Sequence, residues 1–162
     1  MSSEPQIQAR AEQHYAGIPA TVTMDGIGPA VDRGFPELFG WLGRHGIAPG
    51  GPPFIRYLVI DMAGELQIEL GVPVSAPVTG TDRIQPGTLP AGRYAVLRHT
   101  GPYDGLVASN AALQAWAAEH GIEFDTTGPA WGGRAEHYLT DPAQEPDPVK
   151  WEVDVAYLTT LA

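Results

Sequence analysis

Apolar and polar positions along the chain follow two rhythms, and each rhythm occurs twice. Val31, Phe35, Leu38, Phe39 and Leu42 fall at i, i+4, i+7, i+8 and i+11. That spacing lines one face of a helix and predicts a helix over 32–44. Gly46 then suits a left-handed C-cap, with His45 at the negative end of the helix dipole. A short strand, Ala20-Thr21-Val22-Thr23-Met24, precedes the helix. After it, residues 54–61 are rich in Ile, Val and Tyr and read as a strand. A turn at Ala63-Gly64 leads into 65–72, where Leu66, Ile68 and Leu70 alternate with Glu65, Gln67 and Glu69. Period-two alternation predicts a strand with one wet face.

The second half repeats the scheme. Residues 93–100 read as a strand. A helix is expected over 103–119, with Leu106, Leu113, Trp116 and Ala117 on or near one face, ended by His120-Gly121. Residues 131–140 read as a strand, and the prolines and acids of 141–148 as a turn. Trp151, Val153, Val155 and Tyr157 then alternate with Glu152, Asp154 and Ala156, which predicts a last strand. Between the halves, the Pro- and Gly-rich residues 73–91 read as a connector with a short edge strand near 82–85.

Local wording repeats as well. Trp41-Leu42-Gly43-Arg44-His45-Gly46-Ile47 and Trp116-Ala117-Ala118-Glu119-His120-Gly121-Ile122 both read Trp-x-x-x-His-Gly-Ile. Gly28-Pro29 and Gly101-Pro102 lie upstream of the two windows. Shared order at several landmarks is the mark of duplication. The expected architecture is α+β: two β-α-β-β repeats, about 16–72 and 92–160, related by a pseudo-twofold axis. They form one antiparallel sheet with two helices on one side and a cleft at the axis, a place where ligands bind readily.

Composition narrows the function. The chain has 162 residues and a net charge of −10, which fits one domain of 1–162. Lys150 is the single lysine and the arginines are scattered. Without basic runs, direct nucleic-acid binding is not expected. The absence of cysteine excludes disulfides and thiolate chemistry. The N-terminus lacks a signal-peptide pattern, and the longest strongly apolar run is about Tyr57–Ile60, so no membrane span is expected. A cytoplasmic protein without metal or cofactor is the expectation. The five histidines show no metal spacing. Ser109 has no Gly-x-Ser-x-Gly setting, and His99 reads more simply as structural than as a base.

Leu89-Pro90-Ala91-Gly92-Arg93-Tyr94-Ala95, His99-Thr100-Gly101-Pro102-Tyr103-Asp104, Trp116, His120-Gly121, Gly128-Pro129 and Glu136-His137-Tyr138-Leu139-Thr140-Asp141-Pro142 form one further pattern. It resembles the GyrI-like small-molecule-binding domain, the effector-binding domain of AraC- and MerR-type regulators, with its duplicated SHS2 fold. The resemblance implies an aromatic pocket at the axis holding a buried acid, which maps onto Glu136, and hydrophobic, cationic or polyaromatic ligands. It also implies two alternatives. One is a hydrolase of cyclopropane-bearing genotoxins using Glu136 as its catalytic residue. The other is a gyrase-inhibitor-type module with a protein partner. About 15 residues precede the first expected strand, too few for a helix-turn-helix, so a stand-alone copy is expected. Members often carry a proline in the last strand, where this chain has Ala156-Tyr157-Leu158.

The residues alone read differently at one point. Alternation places Glu136 beside Arg134 and Tyr138, and an exposed Glu136–Arg134 pair is the simpler reading because Glu is seldom buried. The resemblance reverses that preference. Trp131 and Trp151 flank the Glu136 strand and are candidate ligand walls, whereas Trp41 and Trp116 read as scaffold. Tyr57 occupies the first-half strand that corresponds to the Glu136 strand, which places it near the axis if the halves are symmetric. The candidate ligand-binding set is Glu136, Tyr138, Trp131, Trp151 and Tyr57.

Overall fold

The computed structural model describes residues 3–61 and 64–162. Its strands and helices follow in the order β1 (Gln6–Arg10), β2 (Gln13–Val22), α1 (Ile27–Arg44), β3 (Phe54–Ile60), β4 (Leu66–Pro73), β5 (Gln85–Leu89), β6 (Gly92–Thr100), α2 (Leu106–Glu119), β7 (Thr126–Thr127), β8 (Ala130–Trp131), β9 (Arg134–Tyr138) and β10 (Glu152–Leu158). The strands form one antiparallel sheet in the order β1-β6-β10-β9-β3-β4-β2-β5, and β8 joins the small β7–β8 pair to β3. The order is symmetric about the β9–β3 pair. Moving outward, β10, β6 and β1 on one side answer β4, β2 and β5 on the other. Phe54↔His137, Ile55↔Glu136 and Arg56↔Ala135 join the halves at the centre.

Both helices lie on one face. Leu38, Trp41 and Leu42 of α1 share a cluster with Ile18, Ile68 and Leu70. Leu106 and Leu113 of α2 share another with Ala95, Leu97, Val153 and Val155. Tyr138 packs against both clusters and so marks their meeting point. The repeated Trp-x-x-x-His-Gly-Ile windows are two copies of one helix stop. Gly46 and Gly121 both adopt φ of 66°. Ile47 N–H reaches Leu42 O and Ile122 N–H reaches Ala117 O, both at 2.9 Å, while Gly46 and Gly121 donate to Gly43 O and Ala118 O. This is the paired bonding of a Schellman cap. The histidines add to it: His45 and His120 each place Nδ1 2.8 Å from the carbonyl of the tryptophan four residues earlier and lie against its ring.

The face expected to be wet is buried in part, because the sheet curls. Strand β1 precedes β2 but pairs with β6, and β5 precedes β6 but pairs with β2. Each half thus lends a strand to the outer edge of the other. Tyr15, Phe54, Leu89 and Ala135 pack inside the curl, as do Tyr94, Val96, Ala156 and Leu158. Glu69, read as solvent-facing, accepts a hydrogen bond from the Tyr15 hydroxyl at 2.6 Å. Asp154 is buried and takes a two-pronged contact from Arg98.

Other boundaries shift for local reasons. The first repeat strand starts at Gln13 and stops at Val22, because 24–26 form a 3-10 turn leading into α1 at Ile27 rather than at 32. The second helix likewise starts at Leu106 after a 3-10 turn over 103–105. The edge strand is Gln85–Leu89 rather than 82–85. The strand expected over 131–140 is split into β8 and β9 by Gly132-Gly133. A Cβ on Gly132 would meet Asp125 Cγ at 2.8 Å, so a side chain there would push the exposed Asp125 side chain aside. Ala63 of the expected turn lies outside the described residues. No helix among the described residues is long and apolar enough to cross a membrane.

Candidate functional site

Alternation along β9 aims Arg134, Glu136 and Tyr138 at the helix side of the sheet, at the centre where the halves join. Glu136 is 6% exposed, so the exposed pair with Arg134 does not form. Instead the carboxylate takes three neutral donors. Oε1 accepts from the Tyr57 hydroxyl at 2.9 Å and the Tyr138 hydroxyl at 3.0 Å, and Oε2 accepts from Asn110 Nδ2 at 2.9 Å. Tyr57 on β3 and Glu136 on β9 come from opposite halves, so the site is built across the central strand pair.

Asn110 had no place in the sequence-based candidate set. Its orientation is fixed by chemistry. Nδ2 also donates to Leu106 O at 2.8 Å, a pure acceptor, so the remaining amide hydrogen is directed to Glu136. Asn110 Oδ1 accepts from the Tyr157 hydroxyl, which in turn accepts from Gln114 Nε2 at 3.1 Å. One signal was available in the sequence. Asn110 sits four residues after Leu106 and three before Leu113, on the inward stripe of α2, where a poor helix former needs a reason.

Burial, followed by the Glu136 charge, raises the pKa of Tyr57 and of Tyr138 well above that of a free tyrosine. Both therefore stay protonated and keep donating at neutral pH. Burial also raises that of Tyr157. The cluster holds a carboxylate among neutral donors, in a setting of low dielectric where its field reaches further than in water.

The candidate tryptophans stand one layer out, on opposite sides. Trp151 packs against Tyr103 with ring centroids 4.8 Å apart, and Tyr103 against Tyr138 at 5.5 Å. The Trp151 indole N–H donates to Glu145 O at 2.8 Å. Trp131 packs against Phe124 at 5.8 Å and Tyr157 at 5.3 Å, and borders a surface cavity of about 540 Å³ with Ile60, Phe124 and Pro129. Neither tryptophan hydrogen-bonds Glu136. Arg134 lies against Trp131, its guanidinium 4.5 Å from the ring centres of Trp131 and Tyr157 and 5.8 Å from that of Tyr57. Tyr157, in the stretch that departs from the resembled pattern, is fully buried and belongs to this ring. His99 is a buried structural residue. Its Nε2 faces Pro102 O at 2.9 Å and its Nδ1 faces the Ser109 hydroxyl at 2.7 Å, which ties β6 to α2. Among the described residues, no group of three or more His, Asp or Glu side chains is arranged to hold a metal.

A symmetric, curled α+β sheet with a central buried carboxylate ringed by aromatics is an arrangement suited to holding a small molecule. The sequence matches the GyrI-like small molecule binding domain over residues 3–156, and the chain belongs to that family. The fold is similar to that of the EcmrR C-terminal domain, with a TM-score of 0.84, 15% identity, and 98% of both chains covered. In the EcmrR–DNA complex, the chain matches with a TM-score of 0.82 and spans 57% of that longer protein. It is also similar to SAV2435 bound to tetraphenylphosphonium, with a TM-score of 0.64, 11% identity, and 98% of this chain and 94% of that one covered. A hydrolase from Listeria innocua matches with a TM-score of 0.65, 17% identity, and coverage of 97% and 92%. No curated protein matches the sequence.

Proposed function

We propose that this protein senses or sequesters hydrophobic, cationic compounds with aromatic groups, and that Glu136 is the centre of recognition. One observation carries the reading: a buried carboxylate whose three partners are all neutral donors, within a double layer of aromatic rings. The hydrogen bonds stabilise its charge without cancelling it. A cation brought among the rings gains charge attraction in a low-dielectric setting together with attraction to the ring faces. The likeness of fold to a protein bound to tetraphenylphosphonium supports a lipophilic cation as ligand. The half-buried rim residues Tyr57, Tyr103, Trp131 and Tyr138 give such a ligand its way in by side-chain movement.

A second reading, a hydrolase of cyclopropane-bearing electrophiles using Glu136, rests on the likeness to the Listeria innocua hydrolase. Calorimetric titration with tetraphenylphosphonium tests the first reading, and mass spectrometry after incubation with a cyclopropane alkylator tests the second. Saturable one-to-one binding without turnover supports the binder. Hydrolysed product at catalytic yield overturns it, as does failure to bind lipophilic cations.

A further inference from the structure

The aromatic box beside Glu136 already contains a cation. The Arg134 guanidinium lies 4.5 Å from the ring centres of Trp131 and Tyr157 and 5.8 Å from that of Tyr57. Among the described residues it takes part in no ion pair, and its buried Nε has no hydrogen-bond partner. The half-buried side chain thus turns its Nε and one face of the guanidinium to the rings, while its terminal nitrogens stay within reach of water. Two structural features place it there. Arg134 stands directly opposite Tyr157 in the β9–β10 ladder, so the guanidinium extends over that ring. The Gly132-Gly133 break then sets Trp131 edge-on beside Tyr157, with ring centroids 5.3 Å apart, so the guanidinium caps both rings from one side; a Cβ on Gly133 would lie 3.0 Å from Leu158 Cβ and the Tyr94 hydroxyl.

We infer that Arg134 is a built-in competitor for the cation site: its guanidinium fills the box of Tyr57, Trp131 and Tyr157, and an external cation binds by displacing it. The inference rests on the proposed function of the Glu136 cluster. With Arg134 in place its charge lies beside Tyr57, the hydroxyl partner of Glu136, and an incoming cation gains the full pull of the carboxylate only as the guanidinium moves away. Displacement exchanges one cation for another, so the outcome turns on hydration. Guanidinium regains water when it leaves the box. A small ammonium ion loses about as much water on entering and gains little. A bulky cation with delocalised or shielded charge loses little water and covers more ring surface. Arg134 therefore selects large lipophilic cations over small hydrated ones.

The test titrates wild type and R134M with tetraphenylphosphonium, tetramethylammonium and neutral triphenylphosphine oxide. Met keeps the length and apolar character of the stem and removes the charge. The expected result is about tenfold tighter binding of tetraphenylphosphonium to R134M, measurable binding of tetramethylammonium where wild type has none, and less than twofold change for the neutral compound. R134K keeps a cation and stays near wild type in its preference for the bulky ion. Wild-type binding of tetraphenylphosphonium that is unchanged or weakened in R134M overturns the competitor role and leaves the proposed function standing. No binding to either protein overturns both. A second measurement needs no variant. In free wild type, ring currents should shift the Arg134 side-chain NMR signals upfield, and these should return to ordinary values when tetraphenylphosphonium saturates the site. Upfield signals that persist at saturation overturn displacement.

Discussion

At the residue scale, polar groups inside this protein are placed so that neutral donors and aromatic faces stabilise charge. Glu136 on the helix side and His137 on the other side of β9 show two outcomes of burial. His137 lies inside the curl, with its ring 5.3 Å from that of Phe54 and its Nε2 3.4 Å from Arg10 Nη1. Burial, then the nearby Arg10 charge, lower its pKa from 6.5 to about 4, against a smaller opposing pull from Asp154. The unfolded chain therefore binds more protons than the folded one between these values, and stability falls as pH drops from about 6.5 to about 4. Replacing His137 by Gln should flatten the melting temperature across that window, which a pH series of thermal melts checks. An equally steep decline in the variant would show that other groups carry it. Glu136 and Tyr138 were legible in the sequence through one motif, and Tyr57 through the correspondence of the halves. Asn110 had only its place on the inward stripe of α2 to mark it, because its partners Glu136 and Tyr157 are distant in sequence.

At the element scale, the helix ends were the most legible feature. The His-Gly-Ile windows contain nearly all the chemistry of a Schellman cap: a carbonyl-binding side chain, a residue free to take positive φ, and an apolar residue beyond it. The helix starts were less legible. A 3-10 turn precedes each helix, and neither has a side-chain cap to announce it. Glycines within and after a helix should respond with opposite sign. Gly121 has φ of 66° and open space around it, so G121A should lose about 1 kcal/mol from backbone strain alone. Gly43 sits inside α1, also with open space, and G43A should gain up to about 1 kcal/mol. Urea denaturation of the two variants checks the pair. Stabilisation by both would mean that the cap tolerates a side chain without strain.

At the scale of the whole molecule, curling of the sheet turns two modest halves into one interior with two faces. Alternation predicted the strands, but it could not reveal that β1 and β5 cross to the opposite halves, because that pairing depends on contacts distant in sequence. The same curl explains why Glu69 and Asp154, polar positions of alternating strands, end up bonded inside. Arg56 straps the curl together: Nη1 donates to the Tyr15 hydroxyl and to Thr88 O, and Nη2 to Gly132 O, each at 2.9 Å. R56M should cost at least about 2 kcal/mol, since three partners lose a charged donor. A loss below about 0.5 kcal/mol in urea denaturation would show that the strands close without it. The central β3–β9 pair brings Tyr57 and Glu136 together from opposite halves, so the candidate site depends on both halves being joined. The most direct test of that site is to compare wild type with E136Q in titrations against tetraphenylphosphonium and triphenylphosphine oxide. Gln keeps the shape and removes the charge. The account predicts at least about tenfold weaker binding of the cation, for the loss of one charge-assisted contact, and little change for the neutral compound. Equal loss for both, or loss for neither, would contradict Glu136 as the centre of recognition.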